Sequence, residues 1–466
     1  MEWNLLYFGA GESSILECEY PLKWNAAARK GEAKMIQHGS LKPRGYRPRI
    51  SDQLLRELLD TFCAVEVAGT MWCGKTWTSL SFGESETRVG RPNVRRIVEA
   101  DPETALVGAR PHVIDEWQDV PALWDAVRDA VDSGELAHGS LLLTGSSTPT
   151  KDQVGHSGAG RIAKLRMRTM SLAETGESSG AVSLAGLFQG SFEPHLVQQG
   201  LRPLAQIICR GGWPALLNAD DAAAPRYLDA YFDAIFDVSM AKRGFSGGDA
   251  RRVALALART VGTSAKLETI GTDAFGEETA TASASKRASR YVEAFKALYM
   301  IEEVPGWDAP VRSKSRLRVK PKRYFADPSL AANLLQVTPE RLLVDGQLFG
   351  VLFEALCMHD LMVYASALPQ AQAQPVRYYR DSDGLEVDAI IELRDGRWAG
   401  IEIKLGENGV ESGFAALDRL RRKIARNPAA RNPEPAFMAV LVGAGEFARY
   451  DAGADAYVVP LTALGA

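Results

Sequence analysis

The sequence lacks the features that mark secreted and membrane proteins. Its 466 residues include only five cysteines and six histidines, and neither residue type shows the paired spacing of a disulfide framework or a zinc site. No apolar run reaches the length of a membrane span, and the N-terminal residues do not combine a basic start with an apolar stretch. We therefore predict a cytoplasmic protein without a membrane partner. The cysteines are Cys18, Cys63, Cys73, Cys209 and Cys357.

A strong charge of one sign is also absent. The formal net charge is −4, with 46% hydrophobic and 24% charged residues, which are ordinary values for a globular protein. This balance excludes an overall attraction to nucleic acid, so any binding of that kind must come from local patches. A chain of this length predicts about three domains, each able to bury a core.

One segment has the full spacing of a phosphate-binding loop, Gly69-Thr-Met-Trp-Cys-Gly74-Lys75-Thr76. The apolar residues 64–68 predict a buried strand before it, and residues 77–82 can open a helix after it. In that order, backbone N–H groups converge on phosphate oxygens, whereas a Gly-rich turn without a ligand would need no such flanks. Lys75 would reach the β- and γ-phosphates, and Thr76 would ligate Mg²⁺. We expect ATP to contact Gly69, Thr70, Met71, Trp72, Cys73, Gly74, Lys75, Thr76 and Trp77.

Two later apolar segments end in polar residues. Residues 111–116 predict a strand that carries Asp115 and Glu116 at the C-terminal edge of a parallel sheet. Asp115 would hold the Mg²⁺ shell, and Glu116 would orient or activate the attacking water. An acid at that place favours hydrolysis over the alternative, phosphate transfer to a small substrate. A third strand at 140–147 places Thr144 or Ser146 to sense the γ-phosphate or to position the water.

With these motifs the chain resembles the prokaryotic AAA-like ATPases whose C-terminal half carries a restriction-endonuclease-like domain. The resemblance implies an α/β multidomain fold, with a P-loop NTPase parallel sheet and that C-terminal domain. Between these two parts, the helical spacing of apolar residues predicts a helical lid and a winged helix. The likeness covers residues 44–463 and is specific in the order of its pieces. Beyond the loop and the acid pair it rests on Leu143-Thr-Gly-Ser146, Ala159-Gly-Arg161, Met170-Ser-Leu-Ala-Glu174, Gly211-Gly-Trp-Pro214, Pro321-Lys-Arg-Tyr-Phe-Ala-Asp-Pro328, Phe353-Glu354, Glu386-Val-Asp388 and Ile401-Glu-Ile-Lys404.

The resemblance also implies an arginine finger. Arg161 is the first candidate, and it would reach the γ-phosphate of a neighbouring subunit in a homo-oligomer. Arg168 is the second candidate. The alternative is that both side chains pair with acids at the edge of the sheet.

Changes of pattern along the chain predict five regions. Residues 1–45 show neither clear periodicity nor a resemblance to the family. They are expected to be an N-terminal extension or a non-native start. The others are an AAA-like ATPase core at 46–180, a helical lid at 181–247, a winged-helix-like domain at 248–330 and the restriction-endonuclease-like domain at 331–466.

A row of cations follows the third helix of the predicted winged helix. Six lysines and arginines occupy every second position, so a β-strand would place all of them on one face. Such a wing would bind DNA phosphates without reading sequence. The alternative is a solubilising edge strand, because exposed edges often carry lysine. The six residues are Arg312, Lys314, Arg316, Arg318, Lys320 and Lys322.

The last 135 or so residues carry a second group of acids. Asp388 lies on one predicted strand, and Glu402 and Lys404 share a face of the next strand. With Glu354 from the preceding helix, three carboxylates could surround Mg²⁺, and Lys404 could stabilise the attacking water. This spacing resembles the Asp…Glu-x-Lys nuclease core. A solvated strand face without a metal is the alternative for the short motif.

Two functions follow from the sequence. The first is a Mg²⁺-dependent ATPase that binds DNA through the wing and remodels or cuts it through the C-terminal domain. The second is a nucleotide-switched regulatory or scaffolding ATPase, whose C-terminal domain binds without cleaving. Both are ATP hydrolases and need the same phosphate loop.

Overall fold

The strand before the phosphate loop lies inside a parallel sheet. The computed structural model describes residues 39–148, 158–197, 200–220, 222–276, 281–309 and 320–466. All five residues of Ala64–Ala68 are buried, as the sequence predicts. The elements up to residue 166 are α1 (Ser51–Thr61), β1 (Ala64–Ala68), α2 (Lys75–Phe82), β2 (Ser85–Arg88), α3 (Pro92–Ala100), β3 (His112–Asp115), α4 (Ala122–Asp132), β4 (Leu141–Gly145) and β5 (Ile162–Arg166).

The strands of this first sheet have the order β2-β3-β4-β1-β5. Every neighbouring pair is parallel, and consecutive strands are joined by helices or longer connections on the faces. The carboxyl ends of β1, β3 and β4 therefore meet at one edge. That edge carries the glycine loop, the Asp115–Glu116 pair and the Thr144–Ser147 segment.

The region after the first sheet does not consist of helices alone. Its helices pack through Leu204, Ile208, Leu228 and Phe232, which are buried. Two short strands within the range predicted to be the lid pair instead with the C-terminal part of the chain. The elements are α5 (Leu172–Thr175), β6 (Val182–Ser183), α6 (Leu184–Phe188), β7 (His195–Leu196), α7 (Leu201–Arg210), α8 (Ala223–Asp233) and a π-helical turn (Ala234–Met240).

Three helices and a hairpin come next. The helices are α9 (Gly247–Arg259), α10 (Leu267–Phe275) and α11 (Thr281–Ala297). The hairpin consists of β8 (Ile301–Val304) and β9 (Lys322–Phe325), which are antiparallel with Val304 opposite Lys322. The connection between its strands includes residues 310–319, which lie outside the described part of the chain.

The C-terminal region is built around a second sheet, with the order β10-β11-β12-β13-β15-β14-β7. β10, β11 and β12 are antiparallel neighbours, whereas β12 and β13 are parallel and are connected by α15. The elements are α12 (Pro328–Leu334), α13 (Pro339–Val344), α14 (Gly346–Ser366), β10 (Val376–Arg380), β11 (Glu386–Glu392), β12 (Trp398–Gly406), α15 (Val410–Ala425), β13 (Phe437–Ala444), β14 (Phe447–Asp451), β15 (Ala456–Pro460) and β16 (Leu464–Gly465).

One apolar core connects the regions after the first sheet. It extends from Leu172 to Leu464 and includes residues of α7, α8, α9, α11 and α14. Within the described ranges, α14 is the one helix long and apolar enough to cross a membrane. Of its most apolar 18 residues, 78% are buried inside the fold. A core helix of this kind needs no lipid, since other protein segments already cover its apolar side chains.

Candidate functional site

The phosphate loop has the backbone conformation that its glycines and its turn require. Gly74 has φ of 105° and directly precedes the first residue of α2. Trp72 also has a positive φ, of 64°. At Gly69 a side chain would not fit, because a Cβ there would lie 2.2 Å from the carbonyl oxygen of Met167. The loop therefore leads into the amino terminus of α2, where free N–H groups can bind an anion.

Lys75 and Thr76 follow the loop at the start of α2. Lys75 is 4% exposed, and its Nζ donates to the carbonyl oxygen of Thr70 at 2.8 Å. The Thr76 hydroxyl donates to Oδ1 of Asp115 at 2.8 Å. The loop, the start of α2 and the end of β3 are thus joined by direct hydrogen bonds.

Asp115 is fixed from a second direction by Thr144. The Thr144 hydroxyl, which is fully buried, donates to Asp115 Oδ1 at 2.7 Å and accepts from the backbone N–H of Glu116 at 3.0 Å. Thr144 therefore positions the acid pair, and its hydroxyl is already occupied. Glu116 has φ of 57°, in the left-handed region, which turns its side chain away from the line of the strand.

The Glu116 carboxylate is held by two donors. Ser146 Oγ donates to Glu116 Oε2 at 2.9 Å. The side-chain amide of Gln118 donates to the same oxygen and to Ser146 Oγ. Gln118 belongs to the segment 113–121 that carries the family resemblance, but the sequence prediction gave it no role.

Further residues that the sequence did not indicate hold the loop from outside. Tyr231 of α8 shares a hydrogen bond of 2.6 Å with the Thr70 hydroxyl, and its ring lies 5.7 Å from that of Trp72. The buried Arg49 donates to the carbonyl oxygen of Cys73 at 3.0 Å and pairs with Glu174 at 2.9 Å. These contacts connect the loop to the helical region and to the segment after β5.

The remaining predicted loop residues differ in their exposure. Cys73 is fully buried, whereas Trp72 and Trp77 are 39% and 50% exposed. Met71 is partly buried against the large core. Two large apolar rings at the rim of an anion-binding loop are available to a flat, apolar part of a ligand.

The two candidate finger arginines pair with acids in the same chain. Arg161 pairs with Asp132 at the end of α4, and its side chain is 44% exposed. Arg168 is 8% exposed and donates to Glu302 at 2.8 Å. Burial of Glu302 opposes its ionisation, but Arg168 and Arg166 outweigh that effect and hold its pKa at about 2. Arg168 is therefore an internal partner, and only Arg161 is accessible to a second chain.

The residues at the sheet edge fit a magnesium ion bound together with a nucleotide. Mg²⁺ prefers hard oxygen ligands, and the Thr76 hydroxyl and the Asp115 carboxylate provide two of them at hydrogen-bond distance from each other. When held by Thr76 and Asp115, the ion would neutralise the charge of the phosphates.

The acids of the C-terminal region surround a lysine. Lys322 Nζ lies 3.1 Å from Glu354 Oε1, 2.7 Å from Glu386 Oε1 and 3.9 Å from Asp388 Oδ1. Its side chain is 5% exposed. The prediction that Lys322 belongs to an exposed row of cations is wrong, because the carboxylates of α14 and β11 cover that face of β9.

Glu402 and Lys404 share a face of β12, as predicted, and they pair with each other. Lys404 Nζ donates to Glu402 Oε2 at 2.6 Å. Burial and the nearby Asp388 raise the pKa of Glu402 to about 8, although Lys404 opposes this shift. Among the residues that the structure describes, no group of three or more His, Cys, Asp or Glu is arranged to hold a metal ion. Glu354, Asp388 and Glu402 thus do not fit the predicted metal site.

The other predicted cations of the row lie mostly outside the described residues. Lys320 is described and exposed. The arginines and the lysine before it fall within 310–319 and are not described; they are Arg312, Lys314, Arg316 and Arg318.

Comparisons with protein families place three matches along the chain. Residues 64–176 match a family described as AAA domain, which covers the first sheet, the loop and the acid pair. The chain carries an AAA-type P-loop ATPase domain. Residues 201–341 and 349–464 match two families of unknown function, described as DUF8612 and DUF4143. The AAA-type domain contains every residue of the nucleotide site that the sequence predicted.

Comparisons with individual proteins give distant likenesses. A Walker-type ATPase of Pyrococcus abyssi shares 13% identity and a TM-score of 0.40, covering 61% of this chain and 94% of that one. The Aeropyrum pernix ORC1 protein, solved in complex with DNA, shares 13% identity and a TM-score of 0.21, covering 63% and 94%. No curated protein matches the chain.

Proposed function

We propose that the protein binds and hydrolyses ATP with Mg²⁺ at the edge of the first sheet. One observation carries this proposal: the Glu116 carboxylate is held by Ser146, directly beside the Thr76–Asp115 pair and the loop. Phosphate transfer to a small substrate would need no acid that activates water. An oriented glutamate next to the loop therefore favours hydrolysis.

Each residue has a defined part in the proposed reaction. Lys75, now bonded to the loop carbonyl, would turn to the β- and γ-phosphates, and its charge would stabilise the transferred phosphoryl group. Glu116 would accept the proton of the attacking water. Ser146 and Gln118 would orient Glu116, while Thr144 would keep Asp115 in place. Mg²⁺, when bound, would neutralise the phosphate charge with Thr76 and Asp115 as protein ligands.

Contacts after Ser146 support a coupling of the nucleotide site to the three-helix region. The Thr148 N–H donates to the carbonyl oxygen of Ala297 at 2.8 Å, and its hydroxyl bonds Tyr299 at 2.8 Å. Lys164 of β5 donates to the same tyrosine at 2.7 Å. A shift of Ser146 on nucleotide binding would pass through Ser147 and Thr148 to α11 and the hairpin. The coupling would thus follow a continuous series of contacts.

We further propose that the three helices and the hairpin form a winged helix that binds DNA phosphates. The alternating sequence of 312–320 supports this proposal, since it would carry five cations on one face. Lys322 is not part of that surface. The proposed cytoplasmic location agrees with a nucleic-acid partner.

For the C-terminal region we propose a restriction-endonuclease-like fold that binds nucleic acid or protein without cutting. Three antiparallel strands, a helix and a parallel fourth strand support the fold. Glu354, Asp388 and Glu402 do not fit a metal ion, which supports binding rather than metal-dependent cleavage.

We also propose that Arg161 acts on a neighbouring subunit. Its exposure supports this role, and its pairing with Asp132 is a surface contact of the kind that contributes little to stability. Activity per chain that rises with protein concentration, and loses that dependence in Arg161→Ala, would support the trans role. Concentration-independent activity would contradict it.

Phosphate release from ATP and Mg²⁺ tests the proposed function. Glu116→Gln should lower turnover by at least about a hundredfold while ATP binding is kept, because the general base is lost but the phosphate contacts are not. Glu103→Gln, an exposed acid before β3, is the matched control. Turnover in Glu116→Gln at the wild-type rate would remove Glu116 from the mechanism.

The same assay with single-stranded, duplex and branched DNA tests the proposed coupling. Faster turnover with DNA would support the nucleic-acid function, and intact strands on a gel would support a C-terminal region that binds without cutting. Turnover indifferent to all three DNAs would favour a protein partner. Cleavage of any strand would contradict a C-terminal region that only binds.

A further inference from the structure

A lysine from the hairpin lies among acids of the C-terminal region. Lys322 is the first residue of β9, and β9 pairs with β8 of the hairpin. Its Nζ contacts Glu354 of α14 and Glu386 of β11. The lysine therefore belongs to the hairpin, whereas its carboxylate partners belong to the C-terminal region, more than thirty residues later in the chain.

The carboxylates are already bonded to donors of the protein. Glu354 Oε1 accepts from Lys322 at 3.1 Å and from the Tyr324 hydroxyl at 2.6 Å. Lys322 and Tyr324 are two residues apart on β9, so both side chains lie on the same face. Asp388 Oδ2 accepts from the backbone N–H of Ile403 at 2.9 Å. Each of these acids thus has a protein partner within hydrogen-bond distance.

The position of Lys322 leaves no room for a metal ion between Glu354 and Asp388. A divalent cation needs carboxylate oxygens that converge on one point at about 2.0 to 2.6 Å. Here the ammonium group lies at that place, at 3.1 Å from Glu354 and 3.9 Å from Asp388. The ammonium group also lies over the ring of Tyr378, 5.3 Å from its centroid.

We infer that Lys322 is an internal cation that takes the place of a metal ion in the C-terminal acid cluster. The cluster of Glu354, Glu386 and Asp388 then binds the hairpin to the C-terminal region and needs no Mg²⁺. Removal of the Lys322 charge opens a divalent-cation site made by Glu354 and Asp388. This inference does not depend on ATP hydrolysis, which uses residues of the first sheet.

Mn²⁺ binding to the full chain, in the absence of nucleotide, tests the inference. Wild type and Asp388→Asn should bind Mn²⁺ alike, because the acid cluster binds none. Lys322→Met should gain one Mn²⁺ per chain, at least tenfold tighter than any site in wild type. The double variant Lys322→Met with Asp388→Asn should lose that gain. Lys286→Met, which removes an exposed lysine on α11, is the matched control and should bind Mn²⁺ as wild type does.

Two results would overturn the inference. One is a Mn²⁺ ion bound by wild type and lost in Asp388→Asn, which would show that Lys322 moves aside for the metal. The other is a folded Lys322→Met chain that gains no Mn²⁺. If Lys322→Met does not fold, the comparison of wild type with Asp388→Asn still decides, since it needs no change at Lys322. ATP hydrolysis measured in the same samples separates this outcome from that of the proposed function.

Discussion

Glu116 owes its orientation to single hydrogen bonds from neighbouring side chains. Ser146 and Gln118 both donate to Glu116 Oε2, and Gln118 also reaches Ser146. A carboxylate held in this way keeps one oxygen engaged, so the direction of the other is fixed. Gln118 is therefore a positioning residue for the proposed base, because it acts through Glu116.

Gln118→Ala should lower kcat of ATP hydrolysis by about tenfold, or about 1.4 kcal/mol in the barrier, with KM for ATP little changed. The physical reason is that Glu116 loses one donor while the phosphate loop remains intact. Steady-state kinetics measures the split between kcat and KM, with Gln53→Ala on α1 as control. An unchanged kcat, or a loss confined to KM, would contradict the positioning role.

Glu302 stabilises the fold through its ionised carboxylate, which is paired with two arginines. Its pKa is about 2 in the fold and about 4.3 in an unfolded chain. The ionised Glu302 therefore contributes fully to the free energy of unfolding above the pKa of the unfolded chain. This contribution is lost as the pH falls through 2. Glu302→Gln should cost about 3 kcal/mol of unfolding free energy at pH 7 and flatten the acid limb of the stability curve. Urea unfolding from pH 7 to pH 2 measures the loss of unfolding free energy and its dependence on pH. The same pH dependence in wild type and variant would contradict the ion pairing.

Residues whose role is local could be predicted from the sequence, and residues with distant partners could not. The loop, Thr76, Asp115 and Glu116 belong to motifs with fixed spacing, and the structure brings them together. Arg49 and Tyr231 bond the loop from far along the chain. Nothing in the residues around them indicates those partners.

Helix α14 is attached to the AAA-type domain by a buried polar group. His359 bonds Thr169 at 2.8 Å through Nε2 and Asp360 at 2.9 Å through Nδ1. Asp360 Oδ2 accepts from the N–H of Leu172 and from the Tyr364 hydroxyl, both at 3.0 Å. Because these groups are buried, the attachment depends on every donor keeping its acceptor.

Asp360→Ala should destabilise the fold by about 3 kcal/mol, since it leaves the Leu172 N–H, the Tyr364 hydroxyl and His359 Nδ1 without their acceptor. Thermal unfolding followed by circular dichroism measures the effect. Gln347→Ala, exposed on the same helix, should change the melting temperature little. Equal melting of the two variants would show that the buried group does not hold α14.

The bounds of whole elements could be predicted where the apolar period is clear. The predicted strand at 64–68 agrees with β1 in all five residues. The alternation that ends at Lys322 predicted an exposed face and was wrong there. Periodicity shows which residues share a face of β9, but not that Glu354 of a later helix would cover it.

At the scale of the molecule, the predicted boundary near residue 330 does not separate two cores. The cluster that begins at Leu172 includes α12 and α14 and continues to Leu464. The strand pairing of Val182 with Leu464 and of Leu196 with Phe447 connects the same parts. The sequence pattern marks each element but does not show which elements share a core.

A chain of residues 39–334 should therefore fail to melt cooperatively, because it would expose the apolar faces that α14 and the second sheet cover. The full chain should show one main transition for the regions after the first sheet. Calorimetry of both chains measures this. A cooperative transition of the short chain near the melting temperature of the full chain would contradict the shared core.

The central claim is that the phosphate loop and the acid pair hydrolyse ATP. Phosphate release from ATP and Mg²⁺ by wild type and Lys75→Ala tests it most directly, with Lys42→Ala as an exposed control. Wild type and the control should release phosphate, and Lys75→Ala should release none above background although its circular dichroism spectrum is unchanged. Equal release by all three proteins would contradict the account, since the loop lysine would then have no part in the reaction.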